Sequence, residues 1–101
     1  MKIIILKSVE KFILKLDEHS RLRIYREIEI LGELNYLLSM PESKKIGPNL
    51  HELRILGKIQ IRIFYTFHNN EIYLLHAIVK KSQKIPKKDL ELVKRRFKLL
   101  T

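Results

Sequence analysis

The sequence contains no cysteine and no tryptophan, and it has only three glycines and three prolines in 101 residues. Without cysteine, the chain can form neither a disulfide framework nor a thiolate zinc site, so the fold must depend on packing alone. A reducing cytoplasm is the compartment that suits such a chain. The sequence also lacks repeats, linkers and low-complexity tracts. We therefore expect one domain over residues 1–101, which is long enough to bury a single core.

Long hydrophobic runs are missing as well. The apolar run near the start, Ile3 to Leu6, has four residues. A signal-peptide core needs about 7–15 apolar residues and a membrane-spanning helix about 20. We expect a soluble, cytoplasmic protein that has no membrane partner.

Acidic residues are few, with 11 Asp and Glu against 21 Lys and Arg and a formal net charge of +10. This surplus points to polyanionic partners and says nothing about the fold. A sequence rich in Ile and Lys throughout is basic for compositional reasons too, so clustering of the charge is what matters. Nine basic residues against two acidic ones fall within 80–98, which favours a binding surface. A solvated helix face explains part of that run, but it explains Lys80, Lys81 and Lys84 less well.

Periodicity in the first half predicts a strand followed by two helices. The short first helix has Ser8 as its expected N-cap and an apolar stripe at helical spacing. The second helix is expected from about Ser20 to Leu38, where Pro41 prevents its continuation. The turn formers in 40–49 predict a loop.

From Leu50 onward the period changes to two, and turn signals at 56–57 and 69–70 divide the chain into three strands. The last strand is apolar on both faces, so we expect it to be central or covered on both sides. A final helix follows Pro86. The predicted fold is α+β in the order β-α-α-β-β-β-α, with two N-terminal helices, an antiparallel C-terminal meander and a C-terminal helix.

A polar cluster is expected on two neighbouring strands of the meander. Alternation places Glu52 and Arg54 on one face of their strand, and Arg62 and Phe64 on one face of the next. Two arginines beside an aromatic ring suit phosphates and stacked bases. Arginine stays protonated, so it can stabilise charge on a phosphate but cannot act as a general base. The same spacing also predicts an ion pair between Glu52 and either arginine on a solvated face.

His76 interrupts the apolar last strand. A neutral imidazole there can accept a proton near pH 7, although a lone histidine in such a strand is more often a hydrogen-bonded core residue. Strict alternation places it on the same face as Ile72, Leu74 and Ile78. The sequence has neither a metal-ligand spacing nor a glycine-rich phosphate loop, so we expect metal-free chemistry and no cofactor.

Four pieces of this half together resemble the RelE/HigB toxins of bacterial type II toxin–antitoxin modules, in particular the phage-related HigB-type branch of the RelE/ParE superfamily. The pieces are ELR (52–54), RIFY (62–65), LLH (74–76) and KKSQKIP (80–86). The resemblance covers about half of the chain at motif level, and the predicted element order extends it to the whole. The resemblance implies a RelE-like fold.

The resemblance further implies a metal-independent endoribonuclease that cuts mRNA in the ribosomal A site. Its partners would be the ribosome with its rRNA, the mRNA, and a cognate antitoxin of helix-turn-helix type. In such a reaction the ribose 2′-hydroxyl attacks the adjacent phosphate, and the protein positions the phosphate, stabilises its charge and moves protons.

The resemblance assigns roles to the residues of this sequence that stand at matching positions. Arg62 would stabilise the scissile phosphate, and Lys81 would act near the leaving group. Glu52 and Arg54 stand where RelE has a lysine pair that includes its proposed base. The C-terminal tyrosine of RelE has no counterpart, which leaves His76, Glu52 or a lysine as the base.

The remaining lysines would bind RNA. Lys80 and Lys84 match the HigB-type basic motif and would contact the RNA backbone. Lys87 and Lys88 would supply general attraction to rRNA, and Phe64 would offer a ring for stacking. Two alternatives stay open: a ParE-like inhibitor of gyrase, and a basic RNA-binding domain without activity.

Overall fold

One five-stranded sheet with helices on both faces forms the protein. A computed structural model describes residues 1–100, and within them the α+β class is confirmed. The elements are β1 (Lys2–Ile5), α1 (Lys7–Leu14), α2 (Glu18–Leu34), β2 (Ser43–Gly47), β3 (Leu50–Ile55), β4 (Ile61–His68), β5 (Glu71–Val79) and α3 (Lys87–Lys98).

The strands lie in the order β1-β5-β4-β3-β2. β1 runs parallel to β5, and the other neighbours are antiparallel. The predicted meander is confirmed, and Asn69 and Asn70 take φ values of 49° and 61° in the second hairpin turn. Asparagine tolerates these positive values better than most residues, and they match the turn type that twists in the sense of the strands. β5 lies between β1 and β4, which explains why it is apolar on both faces.

The sheet separates two hydrophobic clusters. The larger one packs α1 and α2 on one face of the sheet, with Ile13, Ile24 and Leu31 among its fully buried side chains. The smaller one packs α3 on the other face through Val93. Within residues 1–100, none of the helices combines the length and apolar character that crossing a bilayer requires.

β2 is the strand that the prediction of a loop over 40–49 missed. Lys44 and Lys45 are both exposed on this edge strand, so the segment shows no alternation of apolar and polar residues. The strand is held by its pairing with β3 and by a hydrogen bond between the hydroxyls of Ser43 and Tyr65. The observed order therefore has one strand more than predicted.

Two helix boundaries also differ from prediction. Leu6, not Ser8, occupies the N-cap position of α1 and makes no side-chain cap. Asp17 caps α2 by accepting from the backbone N–H of Ser20 at 3.3 Å. α2 ends at Leu34 because the next residue, Asn35, takes a φ of 52°, which a helix cannot continue through.

A β-bulge in β5 changes which face its residues occupy. Phe64 pairs with His76 while Tyr65 pairs with Leu74, so Leu75 is an extra residue on β5. Leu74 belongs to the cluster under α1 and α2, whereas Leu75 belongs to the cluster under α3. The alternation that placed His76 with Leu74 is therefore wrong, and His76 lies on the face that α3 covers.

The Ser43–Tyr65 hydrogen bond gives a test of how β2 is held. Tyr65→Phe leaves the buried Ser43 hydroxyl without its partner, so the free energy of unfolding should fall by about 1–3 kcal/mol. Adding Ser43→Ala should recover part of this loss, because no buried hydroxyl then lacks a partner. Urea unfolding measures both variants. Equal stability of Tyr65→Phe and wild type would contradict the role of this bond.

The same hydroxyl predicts a pH effect on stability. Burial raises the pKa of Tyr65 above its usual 10.0, so the folded protein resists deprotonation that the unfolded chain accepts. The contribution of Tyr65 to the free energy of unfolding should be fully present below pH 10 and should fall as the pH rises above that value. Tyr65→Phe should show a smaller fall in the same urea titrations. An identical alkaline loss in both proteins would assign the effect to other groups.

Candidate phosphate-binding site

Three cationic side chains meet where β4 begins and β5 ends. The backbone N–H of Lys80 donates to the carbonyl of Gln60 at 2.7 Å, which extends the pairing of the two strands past the end of β5. This pairing brings the residues after β5 beside the start of β4. They border an open cavity of about 550 Å³, a size within the usual range of ligand sites. Its lining residues are Gln60, Arg62, Lys80, Lys81, Ser82 and Gln83.

Arg62 is the buried member of this site. Only 8% of its side chain is exposed, and Nε lies 3.0 Å from Glu52 Oε1. The two groups attract each other electrostatically, but these two atoms are not aligned for a hydrogen bond. Nη1 donates to the carbonyl of Ile61 at 3.1 Å. Burial lowers the pKa of the guanidinium, and the Glu52 carboxylate opposes that effect. The ordinary pKa of arginine lies so far above neutral pH that the group stays charged.

Glu52 lies between two arginines. Its side chain is 3% exposed, and Oε2 is 3.8 Å from Arg54 Nε. Arg54 and Arg62 stand directly opposite each other in the β3–β4 ladder. The ion pair that spacing predicted does form, but on a buried face and not on a solvated one. Two positive charges share one negative charge, which leaves a net positive charge beside the cavity.

The structure places His76 against α3. Its Nε2 lies 2.8 Å from Asp89 Oδ1, and its Nδ1 lies 3.5 Å from Arg96 Nη1. That same Nη1 donates to the carbonyl of Leu75 at 2.7 Å. Arginine only donates, so the geometry assigns the proton to Nε2 and the lone pair to Nδ1. His76 thus fastens α3 to the sheet, and its use as a base stays a prediction.

The other predicted residues are dispersed around this site. Phe64 is 0% exposed and stacks on the His76 ring within the core, so it offers no surface to a base. Lys84 is exposed in the loop before α3. Lys87 and Lys88 occupy the first turn of α3, where the helix dipole disfavours positive charge by about 0.3–1 kcal/mol each. Helix stability therefore does not account for these two lysines.

Some residues of the site were missed by sequence reasoning. Gln60 alternates onto the same face as Arg62, and this signal was available in the sequence. Gln83 lines the cavity only because the loop after β5 folds back. Asp89 and Arg96 reach His76 through the packing of α3, which no local pattern reveals. Across residues 1–100, His, Asp and Glu do not assemble into a group of three that could hold a metal ion.

The arrangement can bind a phosphate and fix its orientation. Arg62 presents a planar, permanently charged group, and Lys80 and Lys81 add mobile charges at the rim. A phosphodiester gains negative charge when a hydroxyl attacks it, and preorganised cations stabilise that charge. The site is therefore chemically suited to binding a phosphate and to stabilising the charge that the phosphate gains on attack.

Comparison with protein families relates most of the chain to a described family. Residues 11–98 match the family model described as "Phage derived protein Gp49-like (DUF891)". The matched range contains every residue that lines the cavity, together with Glu52. A comparison with curated proteins finds no match.

Phosphate binding at Arg62 can be tested on the isolated protein. At constant ionic strength, phosphate at a hundredfold excess over its Kd should stabilise the wild type by about 2.7 kcal/mol, which corresponds to a rise of about 10–20 °C in Tm for a domain of this size. Arg62→Gln should lose most of this rise, because it removes the buried charge of the site. Arg95→Gln makes the same charge change on the exposed face of α3 and should keep the rise. Equal shifts in all three proteins would contradict the site.

Proposed function

The chain belongs to the Gp49-like family of phage-derived proteins, which are RelE-like toxins of toxin–antitoxin systems, and we propose that it is a ribosome-dependent mRNA endoribonuclease. The toxin would halt translation until a cognate antitoxin neutralises it. Its α+β fold and the cationic cavity at the β4–β5 end support this proposal.

The observation that carries the proposal is the environment of Arg62. Burying a guanidinium costs several kcal/mol unless charge and hydrogen bonds compensate. Here the Glu52 carboxylate is shared with Arg54, and the cavity adds Lys80 and Lys81. An arriving phosphate supplies the missing negative charge. The site is therefore suited to a substrate that is itself an anion, as the RNA backbone is.

In the proposed reaction the ribose 2′-hydroxyl gives its proton to a base, and its oxygen attacks the adjacent phosphorus. The bond from phosphorus to the 5′-oxygen breaks, and that oxygen takes up a proton. The products are a 2′,3′-cyclic phosphate and a 5′-hydroxyl. Arg62 stabilises the charge on the phosphate oxygens, and Lys81 neutralises charge near the leaving oxygen. Lys80 and Lys84 hold the neighbouring backbone as point charges.

His76 is our candidate for the base, because its tautomer leaves the Nδ1 lone pair unprotonated. To act, Nδ1 must exchange its 3.5 Å contact with Arg96 for the ribose hydroxyl. This requirement favours one second candidate function, a toxin that binds RNA without cutting it. In that case His76 would serve only to fasten α3.

Partners follow from the charge of the surface. Lys84, Lys87 and Lys88 are exposed and follow the last cavity-lining residue, Gln83, in the chain; such a basic run suits the phosphate backbone of rRNA. A net charge of +10 also favours an acidic antitoxin segment that covers this surface. We propose an antitoxin of helix-turn-helix type encoded beside the toxin.

Removing the buried charge of Arg62 should strongly slow cleavage. In a purified translation system, Arg62→Ala should lower the rate of mRNA cleavage by about 100- to 1,000-fold, the usual effect of losing a charge-stabilising donor. Lys81→Ala should cause a smaller loss, because Lys80 lines the same cavity. Primer extension on a defined mRNA measures both rates.

Arg95→Ala is the matched control, since it removes one arginine from the exposed face of α3 and should cleave like the wild type. Growth arrest with intact mRNA and disturbed DNA supercoiling would replace the proposal with inhibition of gyrase. Ribosome binding without cleavage would assign the non-catalytic function.

A further inference from the structure

Glu52 is the most deeply buried acidic side chain described near the cavity, with 3% of its side chain exposed. One of its oxygens lies 3.0 Å from Arg62 Nε, and the other lies 3.8 Å from Arg54 Nε. Burying a carboxylate is costly unless positive charges compensate it, and here two arginines do so. The pairing of β3 with β4 shows what the carboxylate does for those arginines.

Arg54 and Arg62 are directly opposed across β3 and β4. Like charges in this position repel, and each long side chain would turn away from the other. Glu52 sits one row along the same face, opposite Phe64. From there its two oxygens reach both guanidinium groups and hold them together.

The contacts of Arg62 restrain the plane of its guanidinium. Nε faces Glu52, and Nη1 donates to the carbonyl of Ile61. A guanidinium is rigid and planar, so holding two of its nitrogens fixes the direction of the third. Nη2 is the nitrogen that these contacts do not engage. Its direction therefore depends on Glu52.

We propose that Glu52 is a positioning residue that sets the orientation of Arg62 toward the scissile phosphate, and that it is not the general base. This inference rests on the proposed function. It assigns Glu52 to the arginines for two reasons. Both of its oxygens face guanidinium groups, and its burial keeps it from the ribose.

Two substitutions separate charge from position. Glu52→Gln removes the negative charge, so the arginine pair attracts the phosphodiester more strongly while its orientation is lost. We expect kcat to fall by about 10- to 100-fold, with KM for programmed ribosomes unchanged or lower. Glu52→Asp keeps the charge on a shorter side chain. It should lower kcat as well, but leave KM at the wild-type value.

Glu91→Gln is the control for the loss of a carboxylate, because Glu91 is exposed on α3; both of its kinetic constants should match the wild type. The pH profile then distinguishes positioning from base catalysis. If Glu52 only positions Arg62, Glu52→Gln keeps the acid limb of the kcat/KM profile. Loss of that limb would make Glu52 the base and overturn the inference, as would an unchanged kcat.

A second measurement needs no activity. In the 15N NMR spectrum, Arg62 Nε–H of the wild type should give a signal separate from the exposed arginines, because Nε is buried 3.0 Å from the Glu52 carboxylate. Loss of this signal in Arg62→Lys identifies it. That signal should move into the exposed arginine envelope in Glu52→Asp, and in Glu52→Gln if that variant folds. Persistence of the signal in a folded variant would overturn the inference. If the wild type itself cleaves no mRNA, the proposed function fails while this spectrum still decides the role of Glu52.

Discussion

The contact between Arg62 and Glu52 is the constraint on which the candidate site depends. Both side chains are buried on the face of the sheet that α3 covers, with their charged atoms 3.0 Å apart. Neither charge is stable there alone, since a buried charge without a counter-ion costs several kcal/mol. The carboxylate also serves Arg54, so the two arginines together retain a net positive charge. A phosphate that enters the cavity meets a buried guanidinium, whose charge water and salt screen less than a charge on the exposed surface.

β5 connects this buried pair to the basic surface. It is paired on both sides, by β1 and β4, and it ends where Lys80 bonds to Gln60. The strand therefore fixes the place where the lysine-rich loop begins. Its bulge at Leu75 turns His76 toward Asp89 and Arg96 of α3. The same strand thus positions the rim of the cavity and the helix that covers the adjacent face.

Much of the fold was predictable, because β3, β4 and β5 alternate clearly and Asn69-Asn70 marks a tight turn. β2 was not predictable, since an edge strand with two exposed lysines resembles a loop. The face of His76 was missed because a bulge depends on pairing between strands and leaves no local signal. The proximity of Arg62 and Lys81 came from the family resemblance. The burial of Glu52 could not be foreseen, since alternation alone predicts that a charged residue faces solvent.

The chemistry of the cut ends tests the central claim most directly. After translation of a defined mRNA in the presence of the protein, the upstream fragment should end in a 2′,3′-cyclic phosphate or its opened form. The downstream fragment should begin with a 5′-hydroxyl. These ends follow from attack by the 2′-hydroxyl with Arg62 stabilising the phosphate. A 3′-hydroxyl facing a 5′-phosphate, or an mRNA that stays intact while translation proceeds, would contradict it.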